Sequence, residues 1–198
     1  MNNIALIILA AGNSSRLGQP KQLLVFNQKT LLQHTIDEAL AANIHKIVLV
    51  TGAQNELLKN AIPNNNIVFV HNQNWQTGMA GSMQTGLNAA TNLCPTLDAV
   101  LFSVSDQPFV SKALFEQLVN TFLHTHNIVA AQYNNTIGTP ALFPKKYFNH
   151  LAGLTGQQGA KKLLLQHASQ VSTIPFENGE IDIDTPEQYD ELISKFGI

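Results

Sequence analysis

The sequence predicts an α/β fold built on a parallel sheet with helices on both faces, and three observations lead there. Short apolar, β-branched runs recur at Ile4–Ala10, Ile47–Val50, Ile67–Val70 and Ala99–Val104. Segments of helical length and apolar spacing lie between them, at Leu31–Ala42, Asn55–Ala61 and Gly81–Asn92. The connections are short, and such alternation packs strands side by side under crossover helices.

The first element, Ile4–Ala10, is a continuous apolar run closed by Gly12, the pattern of a strand buried on both faces. It lacks the basic flank of a signal peptide and is too short to span a bilayer. After the fourth strand, Lys112–His124 carries Leu114, Phe115, Leu118, Val119, Phe122 and Leu123 at i, i+3, i+4 spacing and reads as a helix. Ile128–Ala131 and Ile137–Phe143 read as strands. Pro140 cannot donate to a ladder and argues against a central position for the second of them. Lys161–Gln166 falls in a helix and Val171–Pro175 in a strand. Pro186–Phe196 closes as a helix, with Thr185 as cap and Pro186 and Glu187 in its first turn. Asn64-Asn65-Asn66 reads as a turn.

The whole of residues 1–198 fits one domain with a substantial core. A net charge of −2 offers no basic footprint for nucleic acid, and no segment reaches membrane length. Cys94 is the one cysteine, which excludes an internal disulfide or cysteine zinc site and points to a reduced, cytoplasmic setting. The histidines are scattered; His124 and His126 fall on different faces of a helix, while His34 and His71 read as structural or solvent-facing. Ser82 is not in a Gly-x-Ser-x-Gly elbow, so serine hydrolysis has no support.

The strand at Ile4–Ala10 empties into Ala11-Gly12-Asn13-Ser14-Ser15-Arg16-Leu17-Gly18-Gln19-Pro20-Lys21. Glycines let backbone N–H groups close on an anion, and Arg16 and Lys21 add full positive charge, so the loop suits a polyphosphate. Its spacing matches neither a Walker loop nor the dinucleotide fingerprint. Asp106 follows the apolar run Ala99–Val104, where open α/β sheets place ligands. It lies too early to cap the Lys112 helix and is the first candidate to hold Mg²⁺. Asp182-Ile183-Asp184 puts two carboxylates on one face of an extended segment, although Asp184 also fits as a cap beside Thr185. The stretch from Trp75 to Leu87 allows close backbone approach at Gly78 and Gly81 and offers the Ser82 hydroxyl. By residue type alone it reads first as a capped helix with Met79 and Met83 in the core.

Leu9-Ala10-Ala11-Gly12-x-Ser14-Ser15-Arg16-Leu17-Gly18-x-Pro20-Lys21-x-Leu23-Leu24 closely resembles the signature loop of the molybdopterin nucleotidyltransferase family. Ala11 matches its cytidylyltransferase members, where guanylyltransferase members carry glycine. Gly78–Leu87, Ser105-Asp106-Gln107-Pro108, Gly138-Thr139-Pro140 and Asp182–Glu187 resemble further family segments in the same order. Gly156-Gln157-Gln158-Gly159-Ala160-Lys161 resembles its Gly-Asp-x-Gly-Ala-Arg motif, with Gln157 in place of Asp and Lys161 in place of Arg.

The resemblance implies a three-layer α/β/α, Rossmann-like nucleotidyltransferase fold with a mostly parallel, mixed sheet. It implies Mg²⁺-dependent transfer of CMP from CTP to the phosphate of a molybdenum-bearing pterin, with a molybdoenzyme as recipient of the product. Arg16, Lys21 and Asp106 are then the catalytic residues. Leu9, Ala10, Ala11, Gly12, Ser14, Ser15, Arg16, Lys21, Gly78, Ser82 and Ser105 bind the nucleotide. Gly138, Pro140, Gly159 and Lys161 face the acceptor. Asp106 and an acid of the 182–184 segment hold the metal; spacing leaves Asp182 and Asp184 both open, with Asp182 preferred. Lysine at 161 keeps charge but loses the bidentate fork of arginine. With Gln157, it leaves room for a sugar, polyol or other small phosphate as acceptor, or for a non-catalytic pterin- or nucleotide-binding accessory protein.

Overall fold

A computed structural model describes residues 3–62 and 67–197. The Asn64–Asn66 turn lies outside them. Seven strands form the main sheet: β1 (Ile4–Ala10), β4 (Ile47–Thr51), β5 (Ile67–His71), β6 (Ala99–Val104), β7 (Ile128–Tyr133), β8 (Thr136–Pro144) and β9 (Val171–Pro175). A short hairpin, β2 (Val25–Phe26) and β3 (Lys29–Thr30), stands apart from it. The helices are α1 (Leu31–Ala41), α2 (Asn55–Ala61), α3 (Met79–Leu93), α4 (Lys112–Thr125), α5 (Phe148–Ala152), α6 (Ala160–Gln166) and α7 (Pro186–Phe196).

The order across the sheet is β5-β4-β1-β6-β8-β7-β9. Only β8 runs against its neighbours, so the fold is a mostly parallel, mixed three-layer α/β sandwich of the Rossmann-like kind. From β1 the chain winds outward through β4 to β5 and then returns to β6 on the other side of β1. That reversal opens a crevice at the carboxyl ends of β1 and β6, the usual ligand position in such sheets.

Side-chain alternation along β1 builds both faces. Leu6, Ile8 and Ala10 join Leu32, Ile36, Leu58 and Phe115 from α1, α2 and α4. Ala5, Ile7 and Leu9 join Met83, Leu87 and Leu163 from α3 and α6. A third, smaller cluster gathers Leu17, Leu24, Phe26, Leu31, Ile183 and Leu192. It pins the glycine loop after β1 to the segment before α7.

Pro140 corrects the expectation drawn from it, because β8 lies inside the sheet. Against β7 the register jumps from Ala131↔Gly138 to Ala130↔Ala141, so Thr139 and Pro140 stand in a bulge. Against β6 the pairing runs only from Ala141 to Pro144. The missing N–H therefore falls where no ladder bond is required. Helix α3 starts at Met79, earlier than its apolar pattern indicates. Its methionines divide: Met83 is fully buried and Met79 is exposed. His34 is structural, its Nε2 lying 2.8 Å from the Val110 carbonyl, whereas His71 is exposed. No helix among the described residues is long and apolar enough to cross a membrane.

Candidate active site

The crevice holds a cavity of about 320 Å³. Leu9, Ala10, Ala11 and Gly12 line it from the end of β1, and Val104, Ser105 and Asp106 from the end of β6. Lys21 and Gln22 enter from a helical turn at Lys21–Leu23. Trp75, Gln76, Gly78, Met79 and Ser82 enter from the start of α3, and Gln157 closes the rim. Tight local bonds shape the glycine loop. Ser14 has a left-handed backbone (φ 51°), and its hydroxyl accepts from the Lys21 N–H at 3.0 Å. Leu17 is buried in the third cluster and anchors the loop, while Ser15 and Arg16 stay exposed.

Gly78 joins two parts of the wall. Its φ of 119° suits glycine, and a Cβ there would lie 2.3 Å from the Gly156 carbonyl oxygen. That carbonyl accepts from the Ala80 N–H at the start of α3. Gln84 donates to the Ala152 and Leu154 carbonyls, each at 2.8 Å. The loop before α6 is thereby strapped to α3, which carries Gln157 to the cavity. Gly159 packs against Met79 beside the rim. Lys161 is exposed on α6 and lies off the cavity wall. Gly138 and Pro140 are buried near the start of β8, likewise off the wall.

The electrostatic centre is Lys21. Its ammonium pairs with Asp106, and it lies 3.1 Å from Asp184 Oδ1 and 3.4 Å from Asp182 Oδ1. Arg16 pairs with the other oxygen of Asp184, although its own side chain is 69% exposed. Burial works against the Lys21 charge, but the three carboxylates outweigh it and raise its proton affinity above that of an ordinary lysine. For Asp184, Lys21 and Arg16 outweigh burial and hold its carboxyl below the usual range. Asp182 goes the other way. Burial, then the neighbouring Asp106 charge, pushes it up to about 6 against the pull of Lys21.

Neither Asp106 nor Asp184 caps a helix with its carboxylate. Ser111 accepts from the Leu114 N–H at the start of α4, and Thr185 and Gln188 form a capping box at α7. Both acids are free for the cation cluster. Among the described residues no group of three or more His, Cys, Asp or Glu gathers as a metal cage. Two oxygen-donor carboxylates, Asp106 and Asp182, do stand together, which suits a hard cation completed by substrate phosphate and water.

Trp75, Gln76, Gln22, Met79, Val104 and Gln157 line the cavity without having been assigned to a site from sequence. Trp75, Gln76 and Met79 lie within the glycine-rich Trp75–Leu87 stretch, and Gln157 within the motif that departs from the family pattern. Gln22 carried no such signal: it is a polar residue only 1% exposed, its Nε2 donating to the Ala10 carbonyl at 3.3 Å.

The model of the MobA-like NTP transferase domain matches residues 6–171. The chain belongs to that family. It is a nucleotidyltransferase, and two curated relatives match it over nearly the full length. Molybdenum cofactor cytidylyltransferase of Escherichia coli is 30% identical over 96% of this chain and 95% of its own. Purine catabolism protein PucB of Bacillus subtilis is 26% identical over 93% of each. A crystal structure of Rv0371c from Mycobacterium tuberculosis superposes with a TM-score of 0.81 at 27% identity, covering 97% of this chain and 98% of that one. A second structure of Rv0371c, a complex with manganese, gives a TM-score of 0.76 at 25% identity, covering the same shares.

Proposed function

We propose that this transferase moves CMP from CTP to the phosphate of a molybdenum-bearing pterin and releases pyrophosphate. The observation that carries the reading is the pairing of Lys21 with Asp106 at a cavity whose other wall is the Leu9–Gly12 loop, with Asp182 reaching Lys21 from outside the cavity wall. Cytidine as the base is supported by Ala11 on that wall and by the name of the Escherichia coli relative.

An oxygen of the acceptor phosphate attacks the α-phosphorus in line. The bond to the β-phosphate oxygen breaks and the electron pair leaves with pyrophosphate. Positioning and charge neutralisation then carry the catalysis. Arg16 and Lys21 hold the β- and γ-phosphates, and backbone N–H groups of residues 11–15 line the same cradle. Gly78, Ser82 and Ser105 bound the nucleoside side; Gly138, Pro140, Gly159 and Lys161 belong to the acceptor side. Asp106 and Asp182 would hold a divalent cation, Mg²⁺ by preference, which supplies further neutralisation of phosphate charge; the manganese complex of Rv0371c is consistent with that. The lone, buried Cys94 supports a reduced, cytoplasmic setting, and a molybdoenzyme is the recipient in this reading. Gln157 lines the cavity where the resembled motif carries Asp, and a sugar or polyol phosphate is the second acceptor class to test.

Calorimetry of CTP, GTP and ATP with Mg²⁺ tests the base, and CTP is expected to bind tightest. Pyrophosphate release with the pterin phosphate, compared with sugar and polyol phosphates, tests the acceptor. Equal turnover with all of them, or none with the pterin, overturns the assignment.

A further inference from the structure

We infer that Gln107 is a positioning residue whose carboxamide ties the Asp182 segment to the Asp106 segment, so that both carboxylates serve one divalent cation. The inference rests on the reading of Asp106 and Asp182 as the metal pair.

The two acids come from opposite ends of the chain's second half; Lys21 offsets their mutual repulsion, and the backbone that carries Asp182 still needs an anchor. Gln107 directly follows Asp106 and is 6% exposed. Its Nε2 donates to the Thr139 carbonyl at 3.1 Å and to the Gly179 carbonyl at 2.9 Å. Both amide hydrogens are used, which fixes the orientation: a flipped amide would set Oε1 against two carbonyl oxygens. Gly179 lies shortly before Asp182 and has no slack. A Cβ there would meet Phe176 at 2.4 Å and Tyr133 at 2.7 Å. The Phe176 N–H donates to the Gln132 carbonyl at 2.9 Å, and Ile183 is fully buried in the third cluster. Asp182 thus hangs between two anchored points, and Gln107 supplies the nearer upstream one.

Packing alone does not account for this side chain. Its Oε1 is buried with no hydrogen-bond partner of good geometry among the described residues, the Tyr133 hydroxyl interacts with the same carboxamide, and a buried amide is desolvated in a way that methionine or leucine would avoid. The two donated hydrogen bonds are what an apolar residue lacks. Partners that orient metal ligands commonly matter ten- to a hundredfold for metal affinity.

Titration of the full chain with Mn²⁺, the free ion counted by electron paramagnetic resonance, tests the inference. Gln107→Met is expected to weaken binding about tenfold or more while the thermal transition stays cooperative. The double variant Gln107→Met/Asp182→Asn is expected to match Asp182→Asn alone within about twofold, because the effect passes through Asp182. Wild-type affinity in Gln107→Met, or additive losses in the double variant, overturns the positioning role. If Asp182→Asn itself binds Mn²⁺ as wild type does, the metal reading of Asp182 fails and takes the inference with it. Should Gln107→Met not fold, Gln107→Asn keeps the amide on a stem too short to reach both carbonyls. It is expected to show the same loss, and wild-type affinity there overturns the role equally.

Discussion

Lys21 meets three carboxylates in the free protein, and a triphosphate presents it with a fourth anionic partner. Lys21→Ala removes the one largely buried cation of the site. Preorganised charges of this kind are worth ~3 kcal/mol of barrier each, so turnover is expected to drop by about two orders of magnitude. Steady-state pyrophosphate release checks this. Asp182 supplies a pH-dependent prediction. Its native value of about 6 lies above the ordinary 3.8 because burial, then Asp106, disfavours its charge. The native state therefore keeps this proton longer than the unfolded chain, and stability falls as pH rises from about 4 through about 6. Asp182→Asn is expected to melt higher than wild type at pH 8 and at the same temperature near pH 3. Wild-type Mn²⁺ affinity, by the same logic, is expected to decline as pH falls below about 6, a trend that titrations at several pH values would read. Arg16, Lys21 and Asp106 were legible because each follows a glycine turn or an apolar run, and Asp182 and Asp184 because they alternate along an extended segment that resembles a family motif. Gln22 was not, because nothing local shows that a polar side chain in a helical turn is buried.

At the level of single elements, two substitutions test what places the site. Ile183 is fully buried between Asp182 and Asp184 and sets the depth of both. Ile183→Ala is expected to cost about 3 kcal/mol in denaturant unfolding and to weaken metal binding with it. Gly78→Ala forces a Cβ into the Gly156 carbonyl from a backbone region that alanine avoids. About 2–3 kcal/mol of strain is expected, which for a chain of this length lowers the calorimetric midpoint by roughly 5–10 °C. Strand and helix periodicity made every main-sheet strand and most helices readable. The β2–β3 hairpin was hidden because each strand has two residues, and its turn uses Asn27 and Gln28 at positive φ without glycine. Helix α5 is a single short turn with no period to read. Pro140 misled because a bulge can seat a proline inside a sheet, and bulges depend on the partner strand.

Across the whole molecule, one continuous sheet links the nucleotide side to β7, β8 and β9, and the two large clusters run along both of its faces. We expect residues 1–198 to unfold as one cooperative unit, and a single calorimetric transition with matching van't Hoff enthalpy checks it. The order of the strands was the least readable property, because sequence periodicity carries no information about which strands lie side by side. The reversed direction of β8 has its own consequence. Every parallel strand reaches the edge of the sheet that carries the candidate site where it ends, whereas β8 reaches it where it begins, with Gly138–Pro140 leading inward from the β7–β8 turn. Residues inserted at Asn134–Asn135 would extend that turn at the start of β8 and leave the Leu9–Gly12 wall unaltered. If Gly138 and Pro140 serve the acceptor as proposed, a scaffold wired this way would let the choice of acceptor drift through one hairpin while the triphosphate wall stays constant.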